Sequence, residues 1–63
     1  MNLQEAAELA RRAQQEGCGS VEVHQQSPNE AEVEVSDRNF FNAQTVRSLA
    51  EYEKWKQQFL KDK

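Results

Sequence analysis

Four valines at alternating positions on either side of a turn sequence are the feature that most constrains this chain. Val21 and Val23 precede the Ser-Pro-Asn-Glu segment at 27–30, and Val33 and Val35 follow it. Alternation with a period of two around a turn predicts a β-hairpin with one apolar and one polar face. A lone hairpin is only marginally stable in water, so other parts of the chain must cover the valine face.

The same valines predict the register of the hairpin. We expect strands over 20–25 and 31–36, and pairing Val21 with Val35 keeps all four valines on one face. A shift by one residue would place valines opposite glutamates, and burial of one face excludes that arrangement. A shift by two residues remains open, so the sequence leaves the type of turn undetermined.

The segment before the hairpin predicts an amphipathic helix over about residues 3–16. Asn2 and Glu5 have the spacing of a capping box, and Gly17 suits the left-handed position that ends a helix. The predicted apolar face consists of Leu3, Ala6, Ala7, Ala10 and Ala13, with Leu9 at its edge. Because alanines dominate this face, we expect the helix to approach the hairpin closely.

The C-terminal segment predicts a second helix, which begins at Thr45 or Ser48. Ser48 and Glu51 again have capping-box spacing. Apolar side chains then follow at helical spacing, at Leu49, Tyr52, Trp55 and Phe59, with Leu60 on the flank. We therefore expect an α+β fold of order αββα, with two helices packed on one face of a two-stranded antiparallel hairpin.

Residues 36–44, between the hairpin and the second helix, have the composition of a turn and contain the adjacent Phe40 and Phe41. We expect at least one of these two rings to cap the core under the hairpin. An exposed phenylalanine in this loop would be an anchor for a protein interface.

Composition restricts the domain organisation and the class of partner. Sixty-three residues are enough for one small domain, 1–63. The net charge of −3 argues against direct nucleic-acid binding, which needs a concentrated basic face. No apolar run approaches the roughly 20 residues that cross a bilayer, and no signal-peptide pattern is present. We therefore expect a cytoplasmic protein that does not bind membranes.

The polar face of the hairpin is the main candidate site. It carries Glu22, His24, Glu32 and Glu34, and like charges that face each other across a hairpin are destabilising. This acidic face should be solvated or should meet a positive partner. The predicted protein-binding residues are Glu22, His24, Glu32, Glu34, Phe40 and Phe41.

Enzymatic chemistry has weaker support in the sequence. His24 lies among carboxylates and could titrate or bind a metal, but we favour an exposed histidine on a solvated strand, because a metal site would need several converging ligands. Cys18 is the only cysteine, so no intrachain disulfide can form. As a nucleophile it would have only His24 as a base, and no oxyanion donors are evident. We expect a free structural cysteine and no catalytic residue, metal or cofactor.

The order helix, hairpin, helix within one small domain resembles the head-completion (W-type) protein family of lambda-like phages. The stretch 46–53 (Val-Arg-Ser-Leu-Ala-Glu-Tyr-Glu) is similar to the entry of that family's second helix, a capped serine followed by leucine and an aromatic residue. The resemblance implies two antiparallel helices packed on a hairpin. It also implies assembly in a ring beneath the phage portal, with docking of neck or tail components in the virion.

These observations predict a non-enzymatic protein-interaction module, in one version a phage or prophage assembly subunit of the head-completion type. The alternative is an acidic inhibitor or adaptor that binds a basic surface of a nucleic-acid-handling protein. A small enzyme that uses Cys18 or His24 ranks last. In the first two cases the partner is another protein, and self-association into a homo-oligomer is a further option.

Overall fold

The computed structural model describes residues 1–60, which form two helices and a three-stranded antiparallel sheet of order β1-β2-β3. Residues 61–63 of the predicted domain lie outside the described part. Neither helix within 1–60 is long and apolar enough to cross a membrane. The predicted α+β class is confirmed, but the hairpin has a third strand beside it. The elements are α1 (Leu3–Gln15), β1 (Val21–Ser27), β2 (Glu30–Ser36), β3 (Ala43–Val46) and α2 (Leu49–Phe59).

The hairpin of β1 and β2 has the predicted register, with Val21 opposite Val35 and Val23 opposite Val33. Val33 and Val35 are fully buried, as expected for the central strand. Val21 is only half-buried and Val23 is 38% exposed, so the valine face is not covered along its whole length. The reason is that β1 is an edge strand, so within residues 1–60 no strand lies on its outer side.

The third strand, β3, was not predicted, because its segment reads as a turn and the start of a helix. Val46 pairs with Val33, and Gln44 pairs with Val35. Of the four residues of β3, only Val46 is buried, so the strand has no alternating pattern that the sequence could reveal. Its pairing gives β2 a neighbour on both sides.

The ends of α1 form as predicted from local sequence. The Glu5 N–H donates to Asn2 Oδ1 at 2.7 Å, and the Asn2 N–H donates to Glu5 Oε1 at 3.2 Å, which completes the capping box. At the other end Gly17 has φ +104°, and the Cys18 N–H donates to the Ala13 carbonyl at 3.1 Å. This is the Schellman geometry that needs a left-handed residue, and glycine adopts it without a steric cost.

The predicted apolar face of α1 is wrong in part. Ala6, Leu9 and Ala13 are buried, so Leu9 belongs to the core and not to the edge of the face. Leu3 is 44% exposed and Ala7 is also exposed. Compared with the predicted orientation, α1 is turned about its axis so that Leu9 enters the core. Leu9 is its one large buried side chain and lies on the same face as Ala6 and Ala13.

In α2 the core residues also differ from the predicted stripe. Tyr52 and Trp55 are buried as expected, and Leu60 joins them just beyond the end of the helix. Leu49 and Phe59 were predicted to face the core, but they are 49% and 38% exposed. The buried set therefore lies on the side of α2 that faces β3 and α1.

Only half of the predicted capping box at the start of α2 forms. The Glu51 N–H donates to Ser48 Oγ at 3.3 Å, so Ser48 is the N-cap as predicted. The Glu51 carboxylate accepts instead from the N–H of Arg47, at 2.9 Å. The helix therefore begins where the sequence indicated, with its acidic residue turned toward the preceding residue.

A polar network joins α2 to the C-terminal end of α1. The Tyr52 hydroxyl donates to Glu16 Oε1 at 2.5 Å, and Lys56 Nζ lies 3.2 Å from the same oxygen. Arg12 bridges Glu16 at 3.1 Å and Glu53 at 2.7 Å. The Tyr52 hydroxyl, with help from Arg12 and Lys56, lowers the pKa of the Glu16 carboxyl, while burial raises the pKa of Tyr52.

Candidate interaction surface

The connection between β2 and β3 is an ordered loop, residues 37–42, that is organised by Asp37. One carboxylate oxygen of Asp37 accepts from the N–H of Asn39 at 3.1 Å and of Phe41 at 2.9 Å. The other accepts from Asn42 Nδ2 at 2.9 Å. These bonds, the Asn42 side chain first, lower the pKa of Asp37, whose side chain is buried. The loop is therefore held from within by one charged side chain.

This loop presents Phe40 and Phe41 at the surface, where they are 66% and 83% exposed. The prediction that at least one of them caps the core is wrong. The space under the sheet is filled by Val46, Tyr52 and Trp55, because β3 brings Val46 inward and α2 packs beside it. Both phenylalanines are left outside the core.

The backbone of Phe40 is left-handed, with φ 63°. A bulky side chain at positive φ is a rare conformation that costs roughly 1–2 kcal/mol. The Phe40 ring lies beside Gly19, where an added Cβ would come within 3.1 Å of Phe40 Cε1 and would collide with the Asp37 carbonyl. Because Gly19 has no side chain, the loop can pack against it. The strain at Phe40 is not offset by burial of its ring, which is mostly exposed.

On the outer face of the sheet, three predicted site residues converge. His24 Nε2 lies 3.2 Å from Glu34 Oε1 and 3.4 Å from Glu22 Oε1, and Glu22 is opposite Glu34 in the register. The donor atoms of all three lie within 4.8 Å of one another. One imidazole nitrogen and two carboxylate oxygens form a donor set that zinc accepts, so these residues could hold a divalent ion. The expectation that they bind none stays a prediction.

Glu32, the fourth residue of the predicted acidic face, has partners of its own. It is opposite His24 in the register, yet its carboxylate binds Arg47 Nε at 2.9 Å and Gln26 Nε2 at 3.0 Å. Sequence reasoning missed Arg47, because only the unpredicted β3 brings it beside β2. Arg47 therefore offsets part of the negative charge on this face.

The acidic face and the phenylalanine loop are linked through β2. Glu34 belongs to the strand, and the buried Ser36 and Asp37 lead from it into the loop. The Ser36 hydroxyl lies 3.1 Å from the Ser20 hydroxyl and accepts from the Ser20 N–H at 2.9 Å, which fastens this end of β2 to β1. The acidic face on β2 and the phenylalanine loop that follows it are therefore joined by a strand that is paired on both sides.

The geometry around Cys18 fits the structural role that was predicted. Cys18 is half-buried and packs against the core. Burial raises the pKa of its thiol, although a hydrogen bond with Tyr52 partly opposes that shift. A raised pKa reduces the thiolate that a nucleophile needs, so this environment does not activate the cysteine.

An open groove of about 550 Å³ lies between α1 and the start of α2. Its walls combine charged and apolar side chains, among them Glu5, Glu8, Arg12, Arg47 and Leu49. No sequence pattern predicts this groove, because it forms where two segments that are distant in the chain meet. Its opposite charges are mixed, so it has no single electrostatic preference.

No protein-family model matches this chain, and no match was found among the curated proteins or the solved structures. The surface geometry is therefore the basis on which a function can be inferred.

Proposed function

We propose that this chain is a non-enzymatic protein-interaction module that binds a partner protein through Phe40 and Phe41. The observation that carries the proposal is the exposure of both rings on a loop that Asp37 holds in one shape, with Phe40 in a strained conformation. Backbone strain at a surface position supports a hypothesis of function when burial does not explain it. Aromatic side chains, phenylalanine among them, are also enriched at the cores of protein interfaces.

The chemistry around the loop indicates what the partner should offer. It needs an apolar pocket for one or both rings, and a basic rim that can meet Glu22 and Glu34. Glu22 is exposed and Glu34 is half-buried, and the imidazole of His24 lies within 3.4 Å of both carboxylates. Complementary charge at a rim mainly affects the association rate and the choice of partner. The rings would supply most of the affinity.

A more specific version is assembly of the head-completion type. In its favour are the helix, hairpin, helix order and the capped serine at Ser48 that begins α2. β3 is an addition that this resemblance does not imply. In this version the loop docks a neighbouring subunit of a neck or tail, and the protein passes from the cytoplasm into virions. Its detection in purified particles would support this version, and its absence from them would count against it.

The second candidate is an acidic adaptor or inhibitor that covers a basic site of a nucleic-acid-handling protein. The paired Glu22 and Glu34 favour it, whereas the bond from Arg47 to Glu32 weakens it. This version predicts binding that weakens steeply with added salt and is lost when all three glutamates become glutamine. Binding through the phenylalanine loop would change little with salt and would survive those substitutions.

The test is the affinity of the purified protein for a partner first identified by cross-linking in cells that express it. Phe41→Ala should weaken binding by about 30-fold or more, the effect of losing about 2 kcal/mol at an anchor residue. Leu3→Ala is the matched control, because Leu3 is an exposed apolar residue on α1. Equal affinity of wild type and folded Phe41→Ala would contradict the proposal.

A further inference from the structure

The outer edge of β1 has backbone groups that no other strand uses. The N–H of Ser36 donates to the carbonyl of Ser20, the residue before β1, at 3.0 Å. By the alternation of an antiparallel pair, Glu22 and His24 also direct their backbone groups toward β2. Ala31, which is opposite Gln25, exchanges its backbone bonds with Met1 and not with β1. Val21, Val23 and Gln25 therefore direct their N–H and C=O groups away from the sheet, whereas beyond Gln25 the register shifts and Ser27 pairs with Glu30.

This edge is long and carries an exposed apolar side chain. β1 has seven residues, and within residues 1–60 its only strand neighbour is β2. Val23, in the middle of the strand, is 38% exposed. The opposite edge, β3, has four residues and ends at α2. Long edges with free hydrogen-bonding groups and an apolar residue are templates for pairing with another strand, whereas short ones are protected.

We propose that β1 pairs with β1 of a second copy of this chain in an antiparallel arrangement centred on Val23, which produces a homodimer with a continuous six-stranded sheet. Val23 then faces Val23 of the second copy, and Val21 faces Gln25. Each of these pairs exchanges two backbone hydrogen bonds, because the outward groups of β1 belong to these residues. The exposed part of Val23 becomes covered.

The charges on the outer face select this register. With Val23 at the two-fold axis, Glu22 of each copy lies opposite His24 of the other, in the pairs whose side chains approach most closely. Centring the pair on Glu22 would oppose two glutamates, and centring it on His24 would oppose two histidines. An imidazole N–H can donate a hydrogen bond to a carboxylate on the opposite strand, whereas two opposed carboxylates repel each other. Of these three registers, the one centred on Val23 is the one in which the edge is complementary to itself.

The dimer does not depend on the proposed function, since Phe40 and Phe41 take no part in the pairing of β1, although Glu22 borders both surfaces. It would place two acidic faces side by side in one sheet. Loss of partner binding on Phe41→Ala would leave the dimer intact, and a monomeric β1 variant would keep its phenylalanine loop. The two proposals can therefore fail separately.

The first test compares two lysine substitutions on the two edge strands by sedimentation equilibrium. Wild type should dimerise reversibly, and Val23→Lys should weaken dimerisation by at least about tenfold, because it places a charge in the pairing edge. Thr45→Lys is the matched control on exposed β3 and should dimerise like wild type. Circular dichroism of the dilute proteins establishes that both variants fold. A wild type that is monomeric up to about 1 mM would overturn the proposal, as would equal dimerisation of Val23→Lys.

Amide hydrogen exchange locates the interface. The amides of Val21, Val23 and Gln25 should become protected as the protein concentration rises, while the amide of Thr45 on β3 should not change. A dimer in which the three β1 amides exchange at a rate independent of concentration would use another surface, for instance the Phe40–Phe41 loop, and would overturn the proposal.

A charge exchange tests the register. Glu22→Lys places lysine opposite His24 of the second copy and should weaken the dimer. Adding His24→Glu places a glutamate opposite the new lysine, which creates an opposite-charge pair across the two-fold axis and should recover the affinity. Failure of the double variant to recover, with its fold intact, would overturn the arrangement centred on Val23.

Discussion

Aromatic side chains occur in two regions of this molecule, and the two regions use them in opposite ways. In α2, Tyr52 is fully buried and Trp55 is 3% exposed, with their rings stacked 6.2 Å apart. In the loop of residues 37–42, Phe40 and Phe41 are mostly exposed. Burial of an aromatic ring is a large contribution to stability, which the loop rings do not make. Their presence calls for a role outside the fold.

The backbone conformation also differs between the two regions, and only the loop contains a strained residue. The helix begins at a capped Ser48 and has regular geometry, whereas Phe40 occupies a left-handed conformation. The Asp37 carboxylate accepts three hydrogen bonds from the loop, and these bonds hold the loop in one conformation. The first region stabilises the protein at no cost in strain. The second accepts strain to present two rings, which is expected of a binding site and not of a core.

The largest expected effect is in the buried region. Trp55→Ala should cost about 3–5 kcal/mol of unfolding free energy. A chain of this length has a total of about 3–9 kcal/mol, so the variant should be largely unfolded. Circular dichroism during heating measures this directly. A cooperative melt within a few degrees of wild type would show that Trp55 is not a core residue.

Trp55→Phe is the control for that variant. The indole N–H of Trp55 is buried without a hydrogen-bond partner among the described residues, so phenylalanine removes no bond. It should retain the fold, with a loss well below that of alanine. If both variants lost the same unfolding free energy, an aromatic ring at position 55 would contribute nothing to stability.

The next effect concerns the link between the helices. Because the pKa of Glu16 is lowered in the folded state, its contribution to stability is present above its ordinary value of 4.5 and is lost as the pH falls through the lower folded value. Tyr52→Phe removes the principal cause of that shift and should cost about 1–2 kcal/mol at neutral pH. Urea unfolding from pH 7 to pH 3 tests both expectations.

Glu16→Gln is the companion variant, and its acid-side loss of stability should be smaller than that of wild type. An identical slope of stability against pH in wild type and Glu16→Gln would show that the network does not contribute.

Substitution of the strained loop residue should not lower the unfolding free energy, in contrast to the substitutions in α2. Phe40→Gly relieves the left-handed strain and should raise the unfolding free energy by about 1 kcal/mol or leave it unchanged, since glycine tolerates positive φ. Phe41→Gly is the control, because Phe41 has no positive φ, and it should give no gain. Urea unfolding compares the two. A loss of stability in Phe40→Gly would mean that its ring packs more tightly than its exposure indicates.

The sequence predicted those parts of the fold that depend on local or strongly periodic signals. The register of Val21 with Val35 followed because one buried face permits few alternatives, and the caps at Asn2, Gly17 and Ser48 depend on neighbouring residues alone. β3 escaped prediction because it has one buried residue and obtains its stability from pairing with β2.

The candidate site was predicted less completely. The convergence of Glu22, His24 and Glu34 follows from the register, which the valines determine. The partnership of Arg47 with Glu32 does not, because it requires the unpredicted β3. The exposure of both Phe40 and Phe41 could not be predicted, because it depends on which other residues fill the core. Val46 and Leu60 are core residues, and the sequence pattern did not place them there.

The central claim is that the two loop phenylalanines are dispensable for folding and therefore available to a partner. The most direct measurement is the unfolding free energy in urea of the double variant Phe40→Ala/Phe41→Ala. We expect it to lie within about 0.5 kcal/mol of wild type per substitution, as for exposed positions. A loss of about 3 kcal/mol, the size expected for a buried ring, would place the loop in the core and contradict the account.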